Sequence, residues 1–177
     1  MQPTPPAHDH GRMNDMTPVR EARRPWRRWL LRATVGLLAL FVLMQFVPYG
    51  RSHTNPPTTK EPSWDSQGTR RLFMNACGDC HSNTTAWPWY TNIAPVSWLT
   101  QNDVDGGRSQ FNVSNWDQPQ DVSAGDMTET IRNGSMPPWF YKPLHPKSSL
   151  SSADRDRLIA GLERTLAASP PIGGGGH

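Results

Sequence analysis

Cysteine is scarce in this chain, with 2 among 177 residues. A zinc site built from two cysteine pairs is therefore excluded, and the Cys2His2 spacing of zinc fingers is absent as well. The sequence also lacks internal repeats, sustained strand-like alternation of apolar and polar residues, and a convincing Ser-His-Asp or paired-carboxylate arrangement. These absences indicate a mostly helical protein without a recognisable hydrolytic site.

Apolar residues are also few. Hydrophobic types make up 35% of the chain, and its 18 prolines indicate many turns and extended segments. The net charge of +3 is uneven, because residues 1–32 hold seven arginines and three acidic residues, whereas residues 33–177 hold 11 basic and 12 acidic residues. The basic character is therefore an N-terminal feature, and we expect no nucleic-acid partner for the folded part.

Both cysteines lie in the pentapeptide Cys77-Gly78-Asp79-Cys80-His81, which reads C-x-x-C-H. This is the attachment signature of c-type haem, in which each thiol forms a thioether bond with one vinyl group of the porphyrin. The next residue, His81, is then held under the iron and can supply an axial imidazole nitrogen. A thioredoxin-like pair, a structural disulfide and half of a zinc site are the alternatives, and a histidine directly after Cys80 argues against all three.

A second axial ligand is expected for an electron-transfer haem. Met136 is the best candidate, because two prolines stiffen the backbone after it and Gly134 frees the backbone before it. His145 is the main alternative ligand; otherwise it is a loop histidine that bonds to a haem propionate or to backbone. Met127 lies on a predicted helix and is expected to pack in the core, which is also the blander interpretation of Met136. Met74 lies on the first predicted helix, too near the attachment site to reach the far face of the haem easily.

One long apolar run extends from Trp29 to Tyr49, a length of 21 residues. About 20 residues suffice for a helix to cross a bilayer. Arginines crowd the N-terminal side of the run, whereas only Arg51 immediately follows it, so the N-terminus is predicted to be cytoplasmic. We expect an uncleaved, single-pass anchor in the bacterial inner membrane, with the following domain in the periplasm. A cleaved signal peptide is the alternative, but the end of the run has no small-x-small cleavage site.

The predicted organisation has five parts: a disordered cytoplasmic tail (1–28), a transmembrane anchor (29–49), a linker (50–62), a cytochrome c-type haem-binding domain (63–168) and a disordered tail (169–177). Four helices are predicted in the domain: from Ser63 or Asp65 into Cys77, from Pro95 to about Asn102, from about Ala124 to Asn133, and from an N-cap at Ser151. Gly106-Gly107 is predicted to form a turn.

Residues along the whole domain resemble a known family. They include C-x-x-C-H-S-N at 77–83, W-P-W-Y at 87–90, I-A-P at 93–95, G-R at 107–108, F-N-x-S-x-W at 111–116, M-P-P at 136–138, Tyr141 and H-P at 145–146. This set resembles the bacterial haem-binding-domain family of membrane-anchored monohaem c-type cytochromes. The resemblance implies a small, mostly α, cytochrome c-like domain around one covalently bound haem, and it gives the axial role of the M-P-P methionine to Met136.

The function expected from these features is electron transfer rather than enzymatic catalysis. Cys77 and Cys80 would attach one haem c, and His81 and Met136 would be the axial ligands of its iron, with His145 as the alternative to Met136. The expected protein carries single electrons at the periplasmic face of the membrane, between membrane-associated redox partners whose identity the sequence does not give. A haem peroxidase, or a haem-based gas or redox sensor, would instead need a displaceable sixth ligand.

Overall fold

The computed structural model describes Gln2 and residues 25–173. Most of the N-terminal tail predicted to be disordered, and the last four residues of the C-terminal one, therefore lie outside the described residues. The described part of the chain is helical and contains no strand; two isolated bridges pair Lys60 with Asn115 and Pro119 with Ile172. The prediction of a mostly α fold is confirmed.

The chain divides into two units after Leu40. Helix α1 (Pro25–Met44) begins in the first unit, where its leucines are largely exposed, and turns follow its end at Met44. Among the described residues, no helix has both the length and the apolar character required to cross a bilayer. The transmembrane helix predicted over 29–49 is therefore not confirmed.

The second unit holds the remaining helices: α2 (Gln67–Ala76), α3 (Gly78–His81), α4 (Val96–Gln110), α5 (Ala124–Arg132) and α6 (Ser152–Ala168). Three short 3-10 helices lie between them: Trp89–Asn92, Lys142–Leu144 and Pro146–Ser148. Helices α2 and α5 both pack on α6, and α3 packs between α2 and α4. Helix α3 therefore has a helix packed against it on each of two sides.

The N-cap of helix α2 lies one residue after Asp65, the later of its two predicted caps. The Ser66 side chain accepts a hydrogen bond from the Thr69 N–H at 3.1 Å, so Ser66 is the N-cap. The Asp65 carboxylate instead accepts two bonds from the Arg164 guanidinium of α6, at 2.9 and 2.7 Å. The prediction of Ser63 or Asp65 as the cap was wrong because a tertiary ion pair engages Asp65.

Helix α4 continues through Gly106-Gly107, where a turn was predicted. A Cβ atom placed on Gly107 would lie 2.5 Å from the carbonyl oxygen of Cys80. Gly107 therefore allows α4 to approach the backbone of α3 closely, and this packing offsets the low helix propensity of glycine. The predicted end near Asn102 and the predicted turn were both wrong for this reason.

The predicted start of α5 near Ala124 and the predicted N-cap of α6 at Ser151 are both confirmed. Ser123 caps α5 and Ser151 caps α6, each through its side-chain oxygen. Helix α5 ends before Gly134, whose φ of +79° is the left-handed conformation that closes many helices. The buried face of α6 carries Leu158, Leu162 and Leu166. The core that it joins consists of Phe73, Phe111, Val113, Trp116, Met127, Ile131, Leu158, Leu162 and Leu166.

Residues on both flanks of the predicted domain also contact it. The Thr59 N–H donates to the Ser114 carbonyl at 2.9 Å, and the Trp116 N–H donates to the Lys60 carbonyl at 2.9 Å. At the other end, the Trp116 indole N–H donates to the Ser169 carbonyl at 3.0 Å. The end of the predicted linker and the start of the predicted C-terminal tail thus lie against residues 114–116 of the folded unit.

Candidate functional site

Helix α3 presents both cysteines and the adjacent histidine on a single turn. The Cys77 N–H donates to the Phe73 carbonyl at the end of α2, and the Cys80 and His81 N–H groups donate to the Cys77 carbonyl at 3.2 and 3.0 Å. Both thiols are free. Burial raises the pKa of each to about 12, whereas a redox-active C-x-x-C pair has a thiol whose pKa is lowered. The thioredoxin-like interpretation is therefore not favoured.

His81 is buried and its ring is fixed on two sides. Its Nδ1 lies 3.2 Å from the Phe111 carbonyl oxygen, and its ring stacks on the Phe111 ring with centroids 4.0 Å apart and planes 10° from parallel. A carbonyl oxygen only accepts, so Nδ1 carries the proton and Nε2 carries the free lone pair. Burial lowers the pKa of His81, which keeps the imidazole neutral, as a metal ligand must be.

The loop after α3 supports this arrangement with a network of side-chain amides. The Val113 N–H donates to the His81 carbonyl at 2.9 Å, which joins the histidine to residues 111–115. The Asn83 N–H donates to the Ser114 hydroxyl at 2.9 Å, and the Asn112 amide donates to the Asn83 side-chain oxygen at 2.7 Å. All of these residues are buried. His81 is therefore held in a rigid, fully hydrogen-bonded setting.

Arg108 of α4 binds the same region from the opposite direction. Its guanidinium donates to the Ser82 carbonyl at 2.9 Å, to the Thr54 carbonyl at 3.1 Å and to the Thr85 hydroxyl at 2.9 Å. Burial lowers the pKa of Arg108. The residue thus joins the segment after His81 to residues before the predicted domain, a role that no local pattern in the sequence indicates.

A cavity of about 270 Å³ brings together four of the predicted site residues: Cys77, Cys80, His81 and Met136. Residues of α4 form one wall and residues 136–141 form another. A second cavity of about 380 Å³ shares part of this lining, including Cys80 and Tyr141. Residues from four separate parts of the sequence therefore line these two adjoining cavities, which together are called the crevice beside α3.

Met136 reaches the crevice from a loop that is fixed to the end of α5. The Met136 N–H and the Ser135 hydroxyl both donate to the Thr130 carbonyl, at 3.0 and 3.1 Å. The peptide bond between Met136 and Pro137 is cis. The side chain of Met136 is 39% exposed, in contrast to Met127, which is buried in the core as predicted.

The alternative ligand His145 lies elsewhere. It lines the second cavity rather than the one that contains Cys77 and His81. Its Nδ1 donates to the Tyr141 carbonyl at 3.0 Å, and its Nε2 accepts from the Tyr90 hydroxyl at 3.1 Å. Both nitrogens therefore have protein partners, which agrees with the description of His145 as a hydrogen-bonded loop histidine.

Tyr141 and Asp79 form a contact that the sequence did not reveal. The Tyr141 hydroxyl donates to one oxygen of the Asp79 carboxylate, and the other oxygen accepts from the Ala86 N–H at 2.8 Å. Burial, and then the hydrogen bond to Asp79, raises the pKa of Tyr141, so the phenol stays protonated. The signal available in the sequence was Tyr141 itself, which appears in the resemblance without a stated role.

A zinc or other metal cluster has no support in the described residues. Within the ranges that the structure covers, no three His, Cys, Asp or Glu side chains lie close enough together to hold a metal ion. The predicted ligands His81 and Met136 instead face one cavity beside two thiols. That donor set is typical of an iron held in a porphyrin rather than of a free metal ion.

The chain was compared with protein families, curated proteins and solved structures. Residues 39–164 match the family model described as Haem-binding domain. No curated protein and no solved structure matches the chain. The family match covers well over half of the sequence and includes every residue that lines the two cavities. This chain therefore belongs to the haem-binding-domain family.

Proposed function

We propose that this protein is a monohaem c-type cytochrome that carries single electrons. One haem c is attached through Cys77 and Cys80, and its iron is bound by His81 and Met136. The observation that carries the proposal is the crevice beside α3, because both thiols, the imidazole and the thioether line the same cavity. Haem binding itself follows from the family; the covalent attachment, the single haem and the electron-carrying role are the proposal.

The residues around the crevice suit a haem. A Cβ atom on Gly106, which lines the cavity, would meet no protein atom within 4 Å, so this wall leaves room for a flat group. Both cysteines are half-buried and their thiols are protonated, and the free Nε2 of His81 belongs to a neutral ring. Apolar walls, two thiols and one imidazole are the set that a covalently held haem requires.

When bound, haem supplies an iron that gains and loses one electron. The residues determine how easily that happens. His81 donates from Nε2 while the Phe111 carbonyl fixes its tautomer, and such outer contacts orient the ligand and tune its basicity. The Met136 sulfur would stabilise the ferrous form relative to the ferric form. The walls formed by α4 and residues 136–141 would limit the contact of the haem with water.

A haem peroxidase or a haem-based sensor is the second candidate. The observation that favours it is the 39% exposure of Met136, since a ligand on a partly exposed loop is displaced more easily than a buried one. Peroxide or a small gas would then bind where the sulfur had been. Electron transfer is preferred because Met136 and His81 line the same cavity, so the thioether would be available as a second ligand of the iron.

We also propose that the domain acts at the outer face of the bacterial cell membrane. The support is the apolar run over 29–49, the arginines before it and the need for cysteines to meet haem in an exported chain. Sodium carbonate washing of membranes should leave the protein in the pellet. Protease added to spheroplasts should digest residues after about 50, and release by osmotic shock alone would contradict the anchor.

The spectrum of the purified, haem-loaded protein tests the main proposal. Low-spin spectra in both oxidation states, with the weak long-wavelength band of iron–thioether ligation in the ferric state, are expected. Carbon monoxide should bind slowly to the ferrous protein, because Met136 must leave first. A high-spin spectrum with rapid carbon monoxide binding would favour the peroxidase or sensor function instead.

A further inference from the structure

The segment that bears Met136, residues 134–145, is named here the methionine loop. Most of its large side chains are exposed: Trp139 is 80% exposed, and Phe140 and Leu144, which line the open cavities, are more than half exposed. Few apolar contacts therefore fix this loop. Its position must depend on the polar contacts that it makes with the rest of the crevice.

Within the described residues, two side-chain hydrogen bonds join residues 137–145 to other parts of the crevice. One runs from the Tyr141 hydroxyl to Asp79 in α3, and the other runs from the Tyr90 hydroxyl to Nε2 of His145. The acceptor Asp79 is itself held, because its second oxygen accepts from the Ala86 N–H at 2.8 Å. The bond from Tyr141 thus ends on a fixed, charged oxygen, a strong kind of hydrogen bond.

The ring of Tyr141 is fixed as well as its hydroxyl. It stacks on the His145 imidazole, with centroids 3.8 Å apart and planes 9° from parallel, and its carbonyl accepts from Nδ1 of that residue. His145 in turn accepts from Tyr90, which belongs to the 3-10 helix Trp89–Asn92. Tyr141 is therefore the point at which the methionine loop is tied to two separate elements.

The chain between Tyr141 and Met136 is short and stiff. Four residues lie between the two positions in sequence, and Pro137 and Pro138 lie directly after the methionine. Proline fixes its own φ and restricts the residue before it, so little freedom remains to absorb a displacement. A change in the position of Tyr141 must therefore reach the sulfur of Met136.

We propose that Tyr141 and Asp79 are positioning residues whose hydrogen bond holds the methionine loop closed over the crevice. The bond joins the loop to α3, the helix that carries Cys80 and His81 and that follows Cys77 directly, so it fixes the distance between the two sides of the haem site. This inference rests on the proposed function, because it assigns to the bond the task of keeping the Met136 sulfur on the iron. Tyr141 would act on Met136 through the short segment of chain that joins them.

The experiment measures the affinity of the ferric, haem-loaded full-length protein for imidazole, which competes with the methionine sulfur. Tyr141→Phe removes the hydroxyl and keeps the stacked ring. We expect it to raise imidazole affinity about tenfold, as the loss of a hydrogen bond to a charged group predicts. Trp139→Phe is the control, since that side chain lies two residues away on the same loop and faces solvent.

Two further variants show whether the effect passes through Asp79. Asp79→Ala should raise imidazole affinity by a similar factor, and adding Tyr141→Phe to it should change the affinity little, because the bond is already lost. If each substitution raises imidazole affinity by its own factor and the two factors multiply in the double variant, the proposal is overturned. So would equal imidazole affinities for Tyr141→Phe, Trp139→Phe and the parent protein.

Met136→Ala separates a failure of this inference from a failure of the proposed function. If Met136→Ala binds imidazole more tightly than the parent protein while Tyr141→Phe binds it equally, the positioning role is overturned and Met136 remains a ligand. Equal affinity in Met136→Ala and the parent would overturn both, because the sulfur would then not be bound to iron. Retained covalent haem and an unaltered far-ultraviolet circular dichroism spectrum show that each variant is folded.

Discussion

The two sides of the crevice are built differently. The histidine side has buried residues joined by a dense network: Phe111 stacks on His81, and Asn83, Asn112 and Ser114 bond to one another. The methionine side is an exposed, proline-rich loop tied across the crevice by two side-chain hydrogen bonds. One ligand is thus fixed by the fold, whereas the other depends on a few local contacts.

This difference indicates where the chemistry of the site can be adjusted. Changes on the histidine side should disturb folding and haem retention, because that side is continuous with the core. Changes on the methionine side should alter the ligation and the reduction potential with little loss of structure. The predictions that follow test this division, in order of decreasing effect.

The largest effect is expected from Cys77→Ala/Cys80→Ala, which removes both attachment points from the histidine side. Covalent haem should be lost completely, and the second unit should fail to reach its folded state because the haem completes its core. Haem staining after denaturing electrophoresis measures the first effect, and circular dichroism measures the second. A stained band of the correct size in the double variant would refute the attachment.

A pair of methionine variants contrasts the two sides directly. Met136→Ala should lower the reduction potential and make carbon monoxide binding to the ferrous protein rapid, while the free energy of unfolding changes little. Met127→Ala should instead lower the free energy of unfolding by about 2–5 kcal/mol, as expected for a buried methionine, and leave the haem spectrum unchanged.

Potentiometric titration, carbon monoxide mixing and guanidinium unfolding of both methionine variants provide the measurements. The division fails if Met127→Ala changes the ligation as much as Met136→Ala does. It also fails if removal of the exposed methionine unfolds the domain.

Gly107→Ala tests the close contact between α4 and the histidine side. The added methyl would lie 2.5 Å from the Cys80 carbonyl oxygen, so the helices must move apart. We expect a loss of about 1–3 kcal/mol in the free energy of unfolding, and reduced haem incorporation. Gly125→Ala on α5 is the matched control, because its nearest neighbour would be a side-chain oxygen at 3.7 Å.

That control should be neutral or more stable than the parent by up to about 1 kcal/mol, since alanine is the better helix former. Denaturant unfolding of the two variants gives the comparison. Equal stabilities for Gly107→Ala and Gly125→Ala would mean that α4 and α3 are not in close contact at this position.

The smallest effect concerns an ion pair outside both sides of the crevice. The Arg70 guanidinium donates two hydrogen bonds to the Glu61 carboxylate, each at 2.7 Å, and these bonds lower the pKa of Glu61. A lowered pKa in the folded state stabilises the protein above the unfolded pKa of Glu61, and this stabilisation is lost as the pH falls through the folded pKa. Because both side chains are partly exposed, the contribution is about 0.5–1 kcal/mol.

Glu61→Gln should therefore lower the free energy of unfolding slightly at pH 7. Below about pH 5, the free energy of unfolding should fall less steeply with decreasing pH in the variant than in the parent. Unfolding by urea at several pH values measures both effects. The haem spectrum should be the same in the parent and the variant, because neither residue lines the crevice. An unchanged decline with pH would show that the ion pair does not contribute.

The sequence predicted those features that depend on short patterns. C-x-x-C-H predicted two thiols and a histidine close together, and Ser151 predicted the start of α6. Met136, the proposed methionine ligand, lines the cavity that also contains the two thiols and His81, because glycine and proline give the residues after α5 a local order. Each of these signals spans fewer than about ten residues.

The remaining features depend on contacts between distant residues. Gly106-Gly107 has the pattern of a turn, yet α4 continues because α3 lies against it. Asp79 and Tyr141 are 62 positions apart, and no local pattern indicates that they meet. The contacts of Thr59 and Lys60 with residues 114–116 were missed for the same reason, since the sequence before Ser63 has only the composition of a linker.

Those contacts at Thr59 and Lys60 have a mechanical consequence. Tension applied through the chain that precedes the domain is resisted by the bond from Arg108 to the Thr54 carbonyl and then by the hydrogen bonds between residues 59–60 and residues 114–116. These bonds pair parallel segments, so they share the force in shear rather than opening one at a time. The turn that carries Cys77 and Cys80 lies farther along the chain, and a pull from the N-terminal side is therefore dissipated before it strains the attachment of the haem.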